Sequence, residues 1–380
     1  MASGRPAAAG PGKGGRLALC ALVAAAAAGC SGCTQLLSIG ETGVVVGLGV
    51  DAGPGGEVTA TADLYHYPNP GGGGGGPSSS PLQPVQVFLQ GSGPDLAAAV
   101  TAIQAQTDVF VDLWSTSALL LGEALAERDV RPALDDLLRS GRFALPTQVA
   151  VVEGAAGALL GEASIPGGPS VDISQRLVRA EATDIGSIPI PFWQFMSRVL
   201  TPYRAAWAPV VAATAQGYRA TGTAVFQGGR LAGMLDPQQT EALGWLLKLG
   251  GFPPLSFTRP DGTLVTLRVI GRRRRIAAEG PGVGVVDVTL NTTPQDAPGL
   301  QLLSPQNIQT VEDEAQVAAT ADLRAMLDRL QSSGSDVLGF GERVRERDPG
   351  AVGQDWPSVF ARMRIQIEAT VRVEPSGRLA

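Results

Sequence analysis

The chain has 380 residues, 44% of them hydrophobic, so it is long enough to bury two or three cores. Its formal net charge is -6, which argues against nucleic-acid binding, since that function needs a basic footprint. With one histidine, His66, and all three cysteines at or before position 33, the body can form neither a disulfide nor a multi-histidine or cysteine zinc site, and a Ser-His-Asp triad is not expected.

The first element is a leader. Arg5, Lys13 and Arg16 precede the uncharged apolar run Leu17 to Ala28, with no acidic residue among them. Such a run is too short to span a bilayer, which takes roughly 20 residues, and reads as a secretory signal over 1–29. Its ending, Ala27-Ala-Gly-Cys30, resembles a bacterial lipobox. That resemblance implies cleavage before the cysteine and a diacylglycerol on its sulfur, two acyl chains being enough for stable anchoring. Cys30 is the expected attachment point and Cys33 the alternative. An ordinary cleaved signal with incidental cysteines is the competing reading. The C-x-x-C spacing is not taken as a redox pair, because it closes a signal sequence instead of opening a helix after a strand.

Gly43 to Asp51 and Glu57 to Tyr67 predict a hairpin around DAGPGG. Gly47-Leu-Gly49 is an incomplete dinucleotide fingerprint, because Ala52 stands where a third glycine belongs. The glycine-, proline- and serine-rich stretch 68–84 cannot pack a core and is expected as a surface loop, with the strand Pro84 to Leu89 continuing the same sheet. A helix over Pro94 to Gln106 presents Leu96, Val100 and Ile103. It is followed by a strand at Val109 to Trp114, a helix at Ser117 to Glu127, helical turns at Arg131 to Arg139 and a buried strand at Thr147 to Val152. This alternation indicates an α/β layered domain. Pro166 to Pro169 reads as a loop, and Ile173 to Ala182 and Phe192 to Leu200 as helices.

The second half opens with an extended segment, Ala208 to Ala215. A hairpin over Tyr218 to Leu235 then feeds a helix that Asp236, Pro237 and Gln239 start. Strands at Leu264 to Ile270 and Val283 to Leu290 flank Arg272, Arg273, Arg274 and Arg275, the basic run of the body. These arginines read either as a solvated strand end or turn, or as a contact for anionic lipid headgroups. A long helix from Ser304 to Gln331 carries Leu323, Met326, Leu327 and Leu330 on one stripe, and Glu312-Asp313-Glu314 read as exposed charges near its N-terminus. The last strand, Met363 to Val373, alternates strictly between apolar and polar. The expected fold class is α+β / α/β mixed, with sheets that are mostly mixed or antiparallel and flanked by helices. The expected domains are 34–200, a middle hairpin and helix over 201–262, and 263–380.

Between the long helix and the last strand stands SDVLGFGERVRERD, followed by Asp355-Trp356-Pro-Ser-Val-Phe360. Taken alone, Gly339 and Gly341 around Phe340 indicate a tight bend with one buried aromatic, and Trp356 a core anchor. Together, Asp336, Gly339, Phe340, Gly341, Trp356 and Phe360 match the C-terminal signature of the Ger(x)C family of spore-germination lipoproteins, the C subunits of nutrient germinant receptors. The stretches Gly122 to Phe143 and Gly222 to Leu247 also resemble that family. Two departures stand out: Thr34-Gln35 or Ser31-Gly32 follow the candidate cysteine where members commonly carry Trp-Asp, and Val337-Leu338 replace a bulkier pair. The signature identifies a family and does not mark a catalytic site.

The resemblance implies a non-enzymatic, lipid-anchored subunit on the outer face of the spore inner membrane. It implies assembly with A-type and B-type membrane subunits, and no metal or cofactor beyond the covalent anchor. Counting back from Gly47-Leu-Gly49-Val-Asp51 by the family's spacing points to Cys33, whereas lipobox chemistry prefers Cys30. The alternative from another class is a lipid-anchored extracytoplasmic solute-binding protein, which would need two similar lobes around a cleft. An envelope hydrolase using a carboxylate pair has little support, since Asp135-Asp136 read as exposed helix charges.

Overall fold

A computed structural model describes residues 39–67, 83–161, 169–182, 187–215, 217–296, 304–353 and 355–374. The expected leader, Cys30 and Cys33, most of the expected loop 68–84 and residues 166–168 of the second expected loop lie outside these.

The described chain from Gly40 onward forms one compact unit built on two sheets. Its elements in order are β1 (Thr42–Ala52), β2 (Val58–His66), β3 (Val85–Gly93), α1 (Leu96–Gln104), β4 (Phe110–Asp112), β5 (Ala118–Gly122), α2 (Glu123–Ala126), α3 (Arg131–Ser140), β6 (Gln148–Val152), α4 (Ala156–Leu160), α5 (Pro169–Ala182) and α6 (Phe192–Val199). There follow β7 (Trp207–Thr214), β8 (Gly217–Gln227), β9 (Arg230–Leu235), α7 (Pro237–Leu247), β10 (Leu255–Thr258), β11 (Leu264–Ala278), β12 (Val283–Asp296), α8 (Pro305–Ser332), α9 (Phe340–Arg347), α10 (Trp356–Ala361) and β13 (Arg364–Val373).

The larger sheet has nine strands in the order β3-β2-β1-β5-β6-β7-β8-β9, with β4 pairing on the first residues of β1. Its centre, β1-β5-β6-β7, is parallel and its flanks are antiparallel hairpins. A parallel centre must be covered on both faces. Ala118, Leu120, Ala150 and Val152 pack under α4 and α5, while Leu119, Leu121, Val149 and Val151 point into the main core. That core runs on without a break into the second sheet, β10-β11-β12-β13.

Here the structure corrects the sequence reading. Ser117 to Glu127, expected as a helix, is strand β5 and then the single turn α2. All five residues of β5 are buried, and a short, uniformly apolar run carries no period by which helix and strand could be told apart. Pro169, expected in a loop, opens α5. Residues 201–262, expected as a separate middle subdomain, supply β7, β8 and β9 to the nine-stranded sheet, then α7 and the edge strand β10 of the second sheet.

The second sheet is completed by β13, the parallel neighbour of β12, which the chain reaches through α8, α9 and α10. Helix α8 is started by Ser304, whose Oγ accepts the N–H of Asn307 at 3.2 Å, and it buries Val311, Ala315, Ala319, Leu323, Met326, Leu327 and Leu330 as one stripe. Helix α7 has the complete reciprocal cap, with Gln239 N–H on Asp236 Oδ1 and Asp236 N–H on Gln239 Oε1. Strand β13 buries Ile365, Ala369, Val371 and Val373, as its alternation predicts.

Candidate functional site

The signature residues converge at the start of α9. Gly339 lies in the left-handed region at φ 76°, which only glycine adopts without strain, and this bend turns its own backbone N–H and the next two inward. The carboxylate of Asp336 meets them. Its Oδ1 accepts from Gly339 N at 2.8 Å and Phe340 N at 2.9 Å, and its Oδ2 from Gly341 N at 2.7 Å and Trp356 Nε1 at 2.9 Å. Asp336 thus answers three of the four orphan donors that open any helix, and adds an indole from α10. It is fully enclosed; burial pushes its carboxyl pKa up, and the four N–H donors work against that push.

The packing leaves no slack. A Cβ at Gly341 would stand 2.6 Å from Trp356 Nε1 and 2.7 Å from Tyr203 O, and one at Gly284 of β12 would stand 2.8 Å from the ring of Phe340. The Phe340 and Phe360 rings stack at 6.1 Å between centroids. All six signature residues are thereby brought into one buried knot, as the sequence predicts for Phe340 and Trp356.

A second charged group, which sequence reasoning missed, completes the knot. Arg198 of α6 is buried; its Nη1 donates to Ala205 O at 2.9 Å and Val337 O at 3.1 Å, and its guanidinium lies 4.4 Å from the centroid of Trp207. Desolvation lowers its pKa to about 10, although the Asp336 carboxylate favours the charged form. The amide of Ala205 in turn donates to Asp336 O at 2.9 Å. Only its place in the amphipathic helix FWQFMSRV hinted at Arg198, since a cation there normally faces water.

Around this knot, α9 ties the two sheets together. Glu342 pairs with Arg204 at 3.3 Å, and Arg345 binds the hydroxyl of Tyr203 while lying over its ring, so one side of the helix grips the segment leading into β7. On its other side Arg343 Nε donates to Ile276 O at 2.7 Å and Arg347 Nη1 to Ala278 O at 2.5 Å, both on β11. The basic helix is a clamp.

Arg272 to Arg275 lie inside strand β11, which runs unbroken from Leu264 to Ala278, and not in a turn between strands. Arg272 turns inward, donating to Trp245 O at 2.7 Å and lying 5.0 Å from the Phe252 ring centroid; burial lowers its pKa to about 10. Arg273, Arg274 and Arg275 are exposed, with Arg275 paired to Asp287 at 3.3 Å. Glu312 and Glu314, read as solvated charges, are engaged: Glu312 Oε1 accepts Val373 N at 2.8 Å, and Glu314 pairs with Arg259 at 2.7 Å.

At the far end of the parallel strands, where open α/β sheets bind ligands, Asp51, Glu123 and Glu127 border a cleft of about 410 Å³, and the Asp51 carboxylate is engaged by the fold. Asp51 closes β1 and accepts the N–H groups of Ala156 and Gly157 at 2.8 Å each, occupying the start of α4. Gly49 lies beneath that helix, where a Cβ would stand 2.8 Å from Leu160 Cδ1. Gly49 of Gly47-Leu-Gly49 therefore serves close packing. Among the described residues no group of histidine, cysteine, aspartate and glutamate is placed to hold a metal ion, and none of the described helices is long and apolar enough to cross a membrane.

Fold and site together define a class: an α+β protein of two helix-flanked sheets, bridged by a helix whose start is capped by a buried carboxylate. Residues 38–213 match the model of the spore germination protein N-terminal domain, and residues 221–377 match that of the spore germination B3/GerAC-like C-terminal domain. The chain belongs to the Ger(x)C family of spore-germination proteins. A solved structure titled the crystal structure of the GerBC protein shares its fold, with a TM-score of 0.54 and 15% identity over 86% of this chain and 96% of that one. A comparison with curated proteins gives no match.

Proposed function

We propose that this chain is the non-enzymatic C subunit of a nutrient germinant receptor. In this reading it is anchored by a diacylglycerol on Cys30, or on Cys33, to the outer face of the spore inner membrane and assembled there with A-type and B-type membrane subunits. The observation that carries the proposal is the pair of consecutive family matches, 38–213 and 221–377, behind a leader that ends in a lipobox-like cysteine. The site supports a scaffold role: Asp336 has its oxygens taken by four donors in a closed knot, so it has no free lone pair facing a substrate.

The chain from Gly40 onward then acts as one body, with α9 bridging its two sheets. The exposed arginines Arg273 to Arg275 are its proposed contact with anionic headgroups. The solute-binding alternative has less support, because a nine-stranded and a four-stranded sheet are not two similar lobes.

Deleting the gene, in a strain without a paralogous receptor, abolishes nutrient-triggered germination if the proposal holds; normal germination overturns it. Mass spectrometry of the mature N-terminal peptide identifies the acylated cysteine, and an unmodified peptide refutes the anchor. Calorimetry against amino acids and sugars shows no binding if the chain is a scaffold, and saturable binding if it is a solute receptor.

A further inference from the structure

The four parallel strands at the centre of the larger sheet all start at one end. At that end β4 pairs with the first residues of β1, Thr42 opposite Phe110 and Val44 opposite Asp112. Thr147, just before β6, donates its hydroxyl to Thr116 O just before β5, and Trp193 N–H donates to Leu145 O at 3.2 Å. These bonds gather the short loops below the strands into one surface. What that surface displays is unusual: Trp114 is 60% exposed, Trp193 53%, Leu145 49% and Phe110 37%. Large apolar side chains concentrated in this way mark an interaction surface, not ordinary solvent-facing residues.

The occupant is indicated by the chain itself. Cys33 stands nine residues before Thr42 and Cys30 twelve. Fully extended, such lengths reach at most about 30–40 Å, so an acylated cysteine keeps the starting end of β1 within that distance of the headgroups. The opposite end lies a further strand length away, about 35 Å for eleven residues. The tether would have to run along the whole body to bring that end down.

Chemistry agrees with position. Tryptophan is the side chain that favours the membrane interface, with an apolar body and a polar N–H. Phe110 and Trp114 also border an apolar groove of about 550 Å³ between β4, α1 and α3, floored by Leu96, Val100 and Leu137. Arg142 lies 5.8 Å from the Phe110 ring centroid, and Arg274 lines a second groove at this end with Gln148, so cations, together with the carboxylates of Asp112 and Asp136, sit beside the aromatics.

We infer that this end of the sheet is the membrane-facing surface of the protein, with Trp114, Trp193, Leu145 and Phe110 seated in the lipid interface. The inference rests on the lipid anchor proposed above and adds the orientation of the anchored body.

The tryptophans supply the test. Trp207, Trp245 and Trp356 are buried, so the indoles of Trp114 and Trp193 are the ones a bilayer can reach. The full chain, acylated in vivo, is reconstituted into protein-free vesicles of phosphatidylcholine with or without bromine on the acyl chains. Acylation is checked by mass spectrometry and vesicle binding by flotation. If the inference holds, brominated lipid quenches the wild-type emission, and the doubly substituted Trp114→Phe, Trp193→Phe chain loses that quenching while still floating. An acylated, floating wild-type chain that brominated lipid quenches no more than the double variant overturns the orientation and leaves the anchor standing. Shielding of these tryptophans from aqueous acrylamide only when the receptor's membrane subunits are present assigns the surface to a protein partner and also overturns it. A chain neither acylated nor floating removes the anchor and this inference together.

Discussion

Asp336 Oδ2 accepts the indole N–H of Trp356 at 2.9 Å across twenty residues of sequence, and the same oxygen accepts the amide of Gly341 at 2.7 Å. One carboxylate thus fixes the start of α9 and the position of α10 together. Asp336→Ala leaves four buried donors without a partner, and a loss of about 3–5 kcal/mol is expected, the range for stranding buried polar groups. Asp336→Asn is expected to cost less but to remain clearly destabilising, because one side of the amide turns a donor toward the donors of Gly341 and Trp356. Urea denaturation of the three chains gives the order wild type, Asn, Ala; an Asn variant as stable as wild type would mean that the charge contributes nothing.

Gly341 tests the packing of the knot independently of its charge. An alanine methyl at this position sits 2.6 Å from Trp356 Nε1 and 2.7 Å from Tyr203 O. Overpacking against both is expected to cost about 2–3 kcal/mol. Trp356→Phe removes one of the two clashing groups, so the double variant should be less destabilised than the sum of the singles. That coupling is read from a double-mutant cycle, and strict additivity would refute the contact.

The cap that Asp51 places on α4 makes a third prediction. Its two oxygens hold the amides of Ala156 and Gly157, residues more than a hundred positions away, at 2.8 Å each. Asp51→Ala removes both acceptors, and a loss of about 1–2 kcal/mol is expected for an N-cap of this kind. Amide exchange at Ala156 and Gly157 should accelerate selectively, a readout that general loosening of the sheet would not give.

These relationships differ in how far the sequence exposed them. The bend is local: Gly339 and Gly341 around Phe340 give it and its buried aromatic from the chain alone, whereas the cap that Asp336 supplies is shown only by the structure. The cap by Asp51 is equally conventional in chemistry but links residues brought together only by the sheet, so no window of sequence contains it. Strand β5 was hidden for another reason. Ala118-Leu-Leu-Leu121 is buried on both faces, and without alternation its sequence fits a helix as well as a strand. In β11 the arginines read as a break because four adjacent cations rarely lie inside a strand; Arg272 is accommodated there by a carbonyl and an aromatic face. Glu312 and Glu314 were legible as charges on a helix but not as ties, since their partners Val373 and Arg259 lie on other elements.

The interface between α7 and α8 carries the last prediction. Glu241 is half-buried there close to Asp322, which accepts a hydrogen bond from Gln238 Nε2 at 2.7 Å. Desolvation first, and the charge of Asp322 second, raise the Glu241 pKa from 4.5 to about 7. A carboxyl whose folded pKa lies above its unfolded value binds its proton more tightly in the folded state. Its contribution to stability is therefore fully present below the unfolded pKa of 4.5 and is lost as pH rises through about 7. Discounting for the solvent that still reaches the group, the swing is about 1–2 kcal/mol. Glu241→Gln removes the titrating proton and keeps the shape. The variant should match wild type near pH 4, exceed it at pH 8, and lack this part of the decline between the two. Thermal unfolding at a series of pH values checks this, and parallel profiles for the two chains would show that Glu241 is not the group responsible.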